Sequence, residues 1–297
     1  MKRFRNYCIN DKIFYVVCYI IATLVFILML YPMIYVVSAS FSSGAAISAG
    51  KVILWPVDIS LDGYQTVFRN SEIWLGFANS IKYTVLATGI NLVMTMTAAY
   101  CLSREDVPGT KIVLFLFTFT MFFGGNMITN YILIRSLGFL NTMWSMIIPG
   151  AISAYNMIIA RNFIQSGIPK ELFEASVVDG CSDIKYYLKI ILPLSKPVMA
   201  VLLLYYAVGH WNSYFNPMIY LNDREKFPLS LFLREILLSS QIDYSTVADP
   251  ELAIKLATLA MSIQYALIVV TLVPIMLIYP FIQKHFAKGV MLGSVKG

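Results

Sequence analysis

Six mostly apolar stretches, each about as long as a membrane-crossing helix and none with an Asp or Glu inside, constrain this chain more than any other feature. They run from Ile13 to Val37, about Asn79 to Leu102, about Lys111 to Ile134, about Thr142 to Phe163, about Val198 to Leu221 and about Leu259 to Gln283. A hydrocarbon core of about 30 Å needs about 20 apolar helical residues to cross it, because the helix satisfies its backbone N–H and C=O groups internally. Composition agrees: 59% of the 297 residues are hydrophobic and 13% charged, whereas soluble domains average about 45–50% and about 25%. The mean hydropathy is +0.72. Such a chain cannot cover itself with polar surface, which excludes a disordered chain, a nucleic-acid binder and a soluble enzyme. The expected fold is an all-α membrane protein with six transmembrane helices in one domain over residues 1–297.

The net charge of +6 is then read as topology. With the N-terminus inside, 14 of the 22 Lys and Arg residues fall inside against seven acids, and eight fall outside against nine. Both termini and the connection from Gln165 to Pro197 are therefore expected in the cytoplasm of a cell-membrane protein. Lys2, Arg3 and Arg5 precede the first stretch and Ser38-Ala39-Ser40 imitates a cleavage site, but the 25 apolar residues between exceed the roughly 7–15 of a signal peptide. A retained helix is expected.

Several chemistries are missing from the residues. Ion-coupled carriers keep carboxylates or ionisable relays at membrane depth, and here His210 is the sole ionisable group well inside a stretch, read as a neutral donor between helices. There is no G-x-x-x-x-G-K-[ST] nucleotide loop, no H-E-x-x-H and no G-x-S-x-G. Cys8, Cys18, Cys101 and Cys181 form no CxxC pair and stand away from His, so neither a disulfide nor a metal site is expected. No catalytic residue and no cofactor on this chain are predicted.

The connection from Gln165 to Pro197 is long for a plain linker; it reads either as a cytosolic hairpin that merely joins two spans or as a docking element. Pro169 suits a first helical position, Glu171 and Glu174 favour the positive end of the helix that follows, and Leu172, Phe173, Ser176 and Val177 give that helix an apolar stripe. Gly180 is a natural left-handed stop, and Ser182 is placed to cap a second helix through Ile191, ended by Pro193 and Pro197. A helix, a tight turn and a second helix are predicted outside the bilayer.

These residues carry a resemblance. Glu174-Ala175-Ser176, Asp179-Gly180, Ile190, Pro193 and Pro197 resemble the E-A-A, D-G, I and L-P spacing of the coupling loop in permease subunits of binding-protein-dependent ABC importers. Ser176 and Cys181 depart from the usual Ala at their positions, both by small residues. Phe123 to Asn126, Leu137 to Thr142 and Asn156 to Phe163 resemble the third and fourth spans of carbohydrate-type permeases, and Phe227-Pro228-Leu229 with Leu231 to Leu237 resembles an outer loop of an oligosaccharide and polysaccharide subgroup. The resemblance implies a type I importer permease fold with a cytoplasmic coupling helix, and a role as half of a translocation pathway. It implies four kinds of partner: a second permease, two ATPase subunits that hold ATP and Mg, an extracytoplasmic solute-binding protein and a carbohydrate. Glu171, Glu174, Ala175, Ser176, Asp179, Gly180, Cys181 and Pro193 would form the coupling element, with Glu174 bonding the ATPase or bracing the loop.

A sugar pathway wants amides and aromatic faces beside a cavity. Asn126, Asn130 and Tyr131, next to Gly124-Gly125, form one candidate group, and Trp211, Asn212, Tyr214 and Asn216 another. Tyr155, Asn156 and Gln264 are weaker candidates. Hydrogen bonds between helices and an interfacial aromatic belt would use the same residues. A permease for a peptide or amino acid fits the coupling motif equally, while an ion-coupled carrier or membrane enzyme fits less well.

Overall fold

The computed structural model describes residues 9–239 and 249–293, which hold no strand and one isolated antiparallel bridge, Ser42 with Ile59. The described residues fall into two compact units, within Met1–Asn70 with Glu235–Leu272 and within Ser71–Arg234 with Val273–Gly297. In chain order the α-helices are α1 Ile9–Ser40, α2 Gly44–Ser48, α3 Asp62–Arg69, α4 Ser71–Ser103, α5 Thr110–Phe122, α6 Met127–Ser136, α7 Trp144–Ile147, α8 Ala154–Gly167 and α9 Lys170–Val178. Then come α10 Asp183–Tyr186, α11 Leu192–Leu194, α12 Lys196–Trp211, α13 Phe215–Tyr220, α14 Leu229–Ser239 and α15 Pro250–Gly293.

Among the described residues, three helical segments are long and apolar enough to cross a membrane: Asp11–Ser40, Ser71–Ser103 and Glu251–Ile278. Two bent pairs pass the same test together, α5 with α6 across a 119° bend and Asp183–Leu194 with α12 across a 79° bend, giving three to five spans. The expected third stretch breaks at Phe123–Asn126, where two glycines favour the coil and the Asn126 side chain accepts from the Thr129 N–H at 2.9 Å to begin α6. The expected fourth stretch is not one helix but α7 and α8, parted by residues 148–153 around Gly150 at φ 81°. The expected fifth ends its first helix at Trp211 and resumes in α13.

In the first unit, α1 is exposed on all sides from Ile13 to Ile34, and its last turn is buried. Ser38, Ser40 and Ser42 turn inward there: Ser38 Oγ donates to Leu54 O at 2.6 Å, Ser42 Oγ to Ser38 O at 2.7 Å, and Tyr64 Oη to Ser40 Oγ at 2.9 Å. Gly44 meets α15 backbone to backbone, since a Cβ there would lie 1.9 Å from Thr258 O. A small apolar cluster of Ala39, Ala46, Ile47 and Val52 packs with Tyr35 and Tyr265, whose rings meet edge to face at 5.9 Å.

The second unit is built around α4, α8 and α12. Its core joins Met96, Ala99 and Leu102 of α4, Met157, Ala160 and Ile164 of α8 and Val198, Leu202 and Tyr206 of α12. Small residues in α4 and α8 let the backbones approach closely, as helix packing in membranes favours.

Candidate functional site

Residues 169–195 form the expected hairpin. Pro169 is the N-cap of α9 rather than its first residue. At the other end the Cys181 N–H donates to Ser176 O at 2.9 Å and the Gly180 N–H to Val177 O at 3.0 Å, with Gly180 at φ +66°. This paired closure needs a left-handed residue, which glycine supplies without steric cost. Ser182 caps α10 by accepting from the Lys185 N–H at 3.4 Å. The second arm departs from expectation: it does not end at Ile191 but passes through a π-helical turn, Tyr187–Ile191, into α11, and the chain turns at Ser195. Pro193 lies inside α11, and Pro197 in the first turn of α12. The π turn just before Pro193 shifts the hydrogen-bond register where the proline has no N–H to give.

The hairpin has two faces. Ser176 is buried and donates to Phe173 O at 2.7 Å, so the Ser in place of Ala packs inward as a small residue should. Leu172, Val177, Val178, Ile184 and Leu188 are exposed, Val178 at 87%. Glu171, Glu174, Ala175, Asp179 and Gly180 are exposed as well, Cys181 is half-buried and Pro193 exposed. Glu174 and Asp179 make no hydrogen bond or ion pair among the described residues.

The buried face rests on the C-terminal end of α4. The Arg104 guanidinium binds both carboxylate oxygens of Asp106, donates to Asp183 Oδ1 at 2.9 Å and to Tyr100 Oη at 2.9 Å, and lies 3.9 Å from the Phe173 ring centroid. Tyr100 stacks on Tyr187 at 5.1 Å, and Phe173 meets Tyr186 edge to face at 5.4 Å. Lys170 Nζ donates to Glu105 Oε2 at 2.7 Å. Arg104 holds the Asp106 carboxyl below the usual carboxylate range, and Lys170 does the same to Glu105. Arg161 of α8 donates from Nε to Leu102 O at 2.9 Å, satisfying one of the last carbonyls of α4.

Within the helical core, Ser80, Thr84, Thr88, Asn91 and Thr95 follow one stripe of α4 at helical spacing. Asn91 Nδ2 donates to Gly150 O at 3.3 Å and lies 3.3 Å from His210 Nε2 of α12. This contact joins His210 of α12 to α4, with its direction set by the imidazole tautomer. Thr95 Oγ1 and Tyr206 Oη are 2.7 Å apart, and Tyr206 Oη also accepts from the Ser153 N–H at 3.2 Å. The Thr84 and Thr88 hydroxyls and Asn91 Oδ1 are buried with no partner among the described residues, leaving capacity for other hydrogen bonds. Sequence reasoning overlooked this stripe although the polar residues recur at three- and four-residue spacing.

The nine pathway candidates lie on three stretches: the α5–α6 break with the first turns of α6, the start of α8, and the end of α12 through the turn after it into α13. Asn126 is engaged as a cap, Tyr131 stacks on Tyr220 at 6.3 Å, and Trp211 meets Phe77 edge to face at 5.7 Å. Asn156 is buried, whereas Asn130, Tyr155, Asn212, Tyr214 and Asn216 are exposed. Gln264 lies on α15 in the other unit.

The segment 222–229 is sewn to α4. Asn79 Nδ2 donates to Glu225 O at 2.8 Å and Phe227 O at 3.1 Å, Tyr83 Oη to Lys226 O at 2.9 Å, and Leu229 N to Ser80 Oγ at 2.9 Å. Asn141, at φ 56°, accepts from the N–H groups of Asn222 and Asp223 at 3.1 Å each. Arg224 binds Glu72 at 2.6 Å and 3.0 Å. The Phe227-Pro228-Leu229 motif is thus held by side chains nearly 150 residues earlier in the chain.

Residues 73–292 match the family described as binding-protein-dependent transport system inner membrane component. The chain is 42% identical over 273 residues, 90% of its length and 92% of the relative's, to the polygalacturonan/rhamnogalacturonan transport system permease protein YtcP of Bacillus subtilis (strain 168). It is 40% identical over 272 residues, 90% and 89% of the two lengths, to protein LplC of the same organism. It also resembles a chain of a bacterial ABC transporter involved in import of the acidic polysaccharide alginate, at TM-score 0.84 and 34% identity, covering 94% of this chain and 99% of that one. The match over residues 73–292 takes in nearly all of α4, the α9–α10 hairpin, α12 and nearly all of α15, and the chain belongs to the binding-protein-dependent transport system inner membrane component family.

Proposed function

We propose that this chain is a transmembrane permease subunit of an ATP-driven, binding-protein-dependent importer for oligosaccharides or polysaccharides. The whole chain acts as one permease domain of the type I importer fold, with six crossings: α1, α4, the bent α5–α6 pair, the α7–α8 pair, α12 with α13, and α15. It stands in the cell membrane with both termini and the α9–α10 hairpin in the cytoplasm. A second permease completes the pathway, and two ATPase subunits supply the nucleotide chemistry. An extracytoplasmic solute-binding protein delivers the carbohydrate.

The observation that carries this reading is the α9–Gly180–α10 hairpin, with its apolar face exposed and Glu174 and Asp179 unpaired among the described residues, within a chain of this family. Such a face suits insertion into a protein cleft, with Glu171, Glu174, Ala175, Ser176, Asp179, Gly180 and Cys181 forming the docked element and Pro193 setting its second arm. ATP-driven closure of the ATPase pair would move the hairpin as a rigid body and rock the bundle, opening the cavity to one side and then the other. The substrate class is supported by likeness to a permease named for polygalacturonan/rhamnogalacturonan transport and to a chain of an ABC transporter involved in alginate import. Asn126, Asn130, Tyr131, Tyr155, Asn156, Trp211, Asn212, Tyr214 and Asn216 are the residues proposed to border the pathway.

The test is purification with bound partners, followed by ATP hydrolysis measured with the binding protein loaded in turn with oligogalacturonides, neutral oligosaccharides and peptides. Stimulation by an oligosaccharide supports the reading, and stimulation by peptides alone overturns the substrate class. Robust hydrolysis by the isolated chain would overturn the division of labour.

A further inference from the structure

We propose that Arg104, its plane fixed by Asp106, is the positioning residue that makes the hairpin move together with α4. The inference rests on the reading of the hairpin as the ATPase-docking element. It begins from an asymmetry in how the hairpin is held. One face of the hairpin is free, and the other is gripped by the end of α4 and the residues just after it. Arg104 touches three elements at once: α4 through Tyr100 Oη at 2.9 Å, α9 through the Phe173 ring at 3.9 Å, and α10 through Asp183 Oδ1 at 2.9 Å. Asp106 takes the opposite side of the same guanidinium, with Nε to Oδ1 at 2.7 Å, which fixes its plane.

The surroundings decide which group carries the load. Lys170 and Glu105 are 68% and 64% exposed, and an exposed pair of this kind holds little by itself. The Arg104 side chain is only 14% exposed, and it is both forked onto a carboxylate and stacked on a ring, a combination open to arginine and closed to lysine. Around it, Thr97 Oγ1 lies 3.2 Å from Tyr187 Oη, and the Tyr100 ring stacks on the Tyr187 ring. Both arms of the hairpin are thereby tied to one helix. A displacement of the free face reaches α4 through Arg104, and α4 is joined in turn to α8 by Arg161 and to α12 by the Thr95–Tyr206 pair. Such a chain of packed and hydrogen-bonded groups is one route by which energetic coupling travels between distant sites.

The experiment uses the complete complex in proteoliposomes, comparing wild type, Arg104→Met, Arg104→Lys and Asp183→Asn. Three quantities are read: ATPase recovered with the permease, hydrolysis stimulated by loaded binding protein, and solute imported per ATP. Arg104→Met is expected to keep its ATPase within about twofold yet import at least about tenfold less solute per ATP, a size usual for coupling between sites. Arg104→Lys should fall between, since it keeps the charge but not the fork. Asp183→Asn, an exposed isosteric change, should lose about fivefold and keeps the test alive if Arg104→Met does not reach the membrane. Wild-type solute per ATP in Arg104→Met, or in Asp183→Asn where Arg104→Met is not recovered, overturns the proposal. So does loss of the ATPase from Arg104→Met, which would make Arg104 a brace for docking only. In parallel, Val178→Cys is tested for cross-linking to the ATPase. No cross-link overturns the docking reading itself, whereas a cross-link together with undisturbed coupling in Arg104→Met overturns this inference alone.

Discussion

Thr95 Oγ1 of α4 and Tyr206 Oη of α12 lie 2.7 Å apart, both buried among apolar side chains. Tyr206 Oη also accepts the Ser153 N–H ahead of α8, so one hydroxyl ties together three parts of the bundle. Hydrogen bonds between helices in a membrane average about 0.6 kcal/mol and reach about 1.7 kcal/mol. Tyr206→Phe keeps the ring in the core and strips two partners, so a loss near the top of that range is expected. A double-mutant cycle with Thr95→Val, read by unfolding in detergent, should give a coupling of about 0.5–1.5 kcal/mol. Strict additivity would mean the pair is incidental.

Gly44 and Gly89 make a matched pair of tests. A Cβ at Gly44 would lie 1.9 Å from Thr258 O, a backbone atom that cannot swing away, while at Gly89 in α4 a Cβ meets nothing within 4 Å. Gly44→Val should cost at least the roughly 1–3 kcal/mol typical of overpacking and lower the amount of protein in membranes. Gly89→Ala should be tolerated or gain about 0.5–1 kcal/mol, as helical Gly→Ala changes do. Equal membrane abundance of the two would contradict the close approach of α2 to α15.

The acidic partners at the base of α4 give the hairpin a pH dependence. Hydrogen bonds from Arg104 to Asp106 and from Lys170 to Glu105 hold both carboxyls below their usual range. A carboxyl depressed in the folded state adds stability above its unfolded pKa, about 4 here, and loses it as pH falls through the folded value. Hydrogen exchange over residues 170–178, corrected for the intrinsic rate, should therefore be slow at pH 7 and faster below about pH 4. Glu105→Gln with Asp106→Asn should exchange fast at both. A wild-type profile flat from pH 7 to pH 3 would remove these contacts from the account.

Much of this was legible in the sequence, for physical reasons that differ by element. Gly180 was readable because an α-helix ends best on a residue free to adopt positive φ, and Ser182 because a hydroxyl is a natural cap; both stand where the pattern put them. The second arm was misread because Pro193 counts as a helix breaker in any local rule, while the π turn that accommodates it is visible only in three dimensions. Arg104 gave no local sign beyond its charge, since its partners Phe173 and Asp183 arrive from far along the chain. Asn126 was singled out for a cavity and serves as a cap to α6, a use that Asn before a helical run allows equally well. The polar stripe from Ser80 to Thr95 was the readable signal that went unread.

Sidedness can be checked with a native residue. Cys181 lies in the hairpin, half-buried, with Sγ 3.7 Å from Ser182 O. With Cys8, Cys18 and Cys101 changed to Ser, a membrane-impermeant maleimide should label Cys181 in inside-out vesicles and leave intact cells unlabelled. A cysteine at Asp58 should show the reverse. Labelling of Cys181 from outside intact cells would sink the orientation.

The measurement that bears most directly on the central claim is ATP-dependent oligosaccharide uptake by the complete complex with Glu174→Ala and Gly180→Val combined. Both residues are exposed and belong to the hairpin. The first change removes an unpaired carboxylate offered to a partner. The second places a β-branched side chain at φ +66°, where a left-handed L-residue costs about 1–2 kcal/mol. The account predicts a permease present in the membrane at near wild-type amount that has lost uptake through weakened ATPase association or uncoupled hydrolysis. Normal uptake with normal ATPase recovery would contradict it.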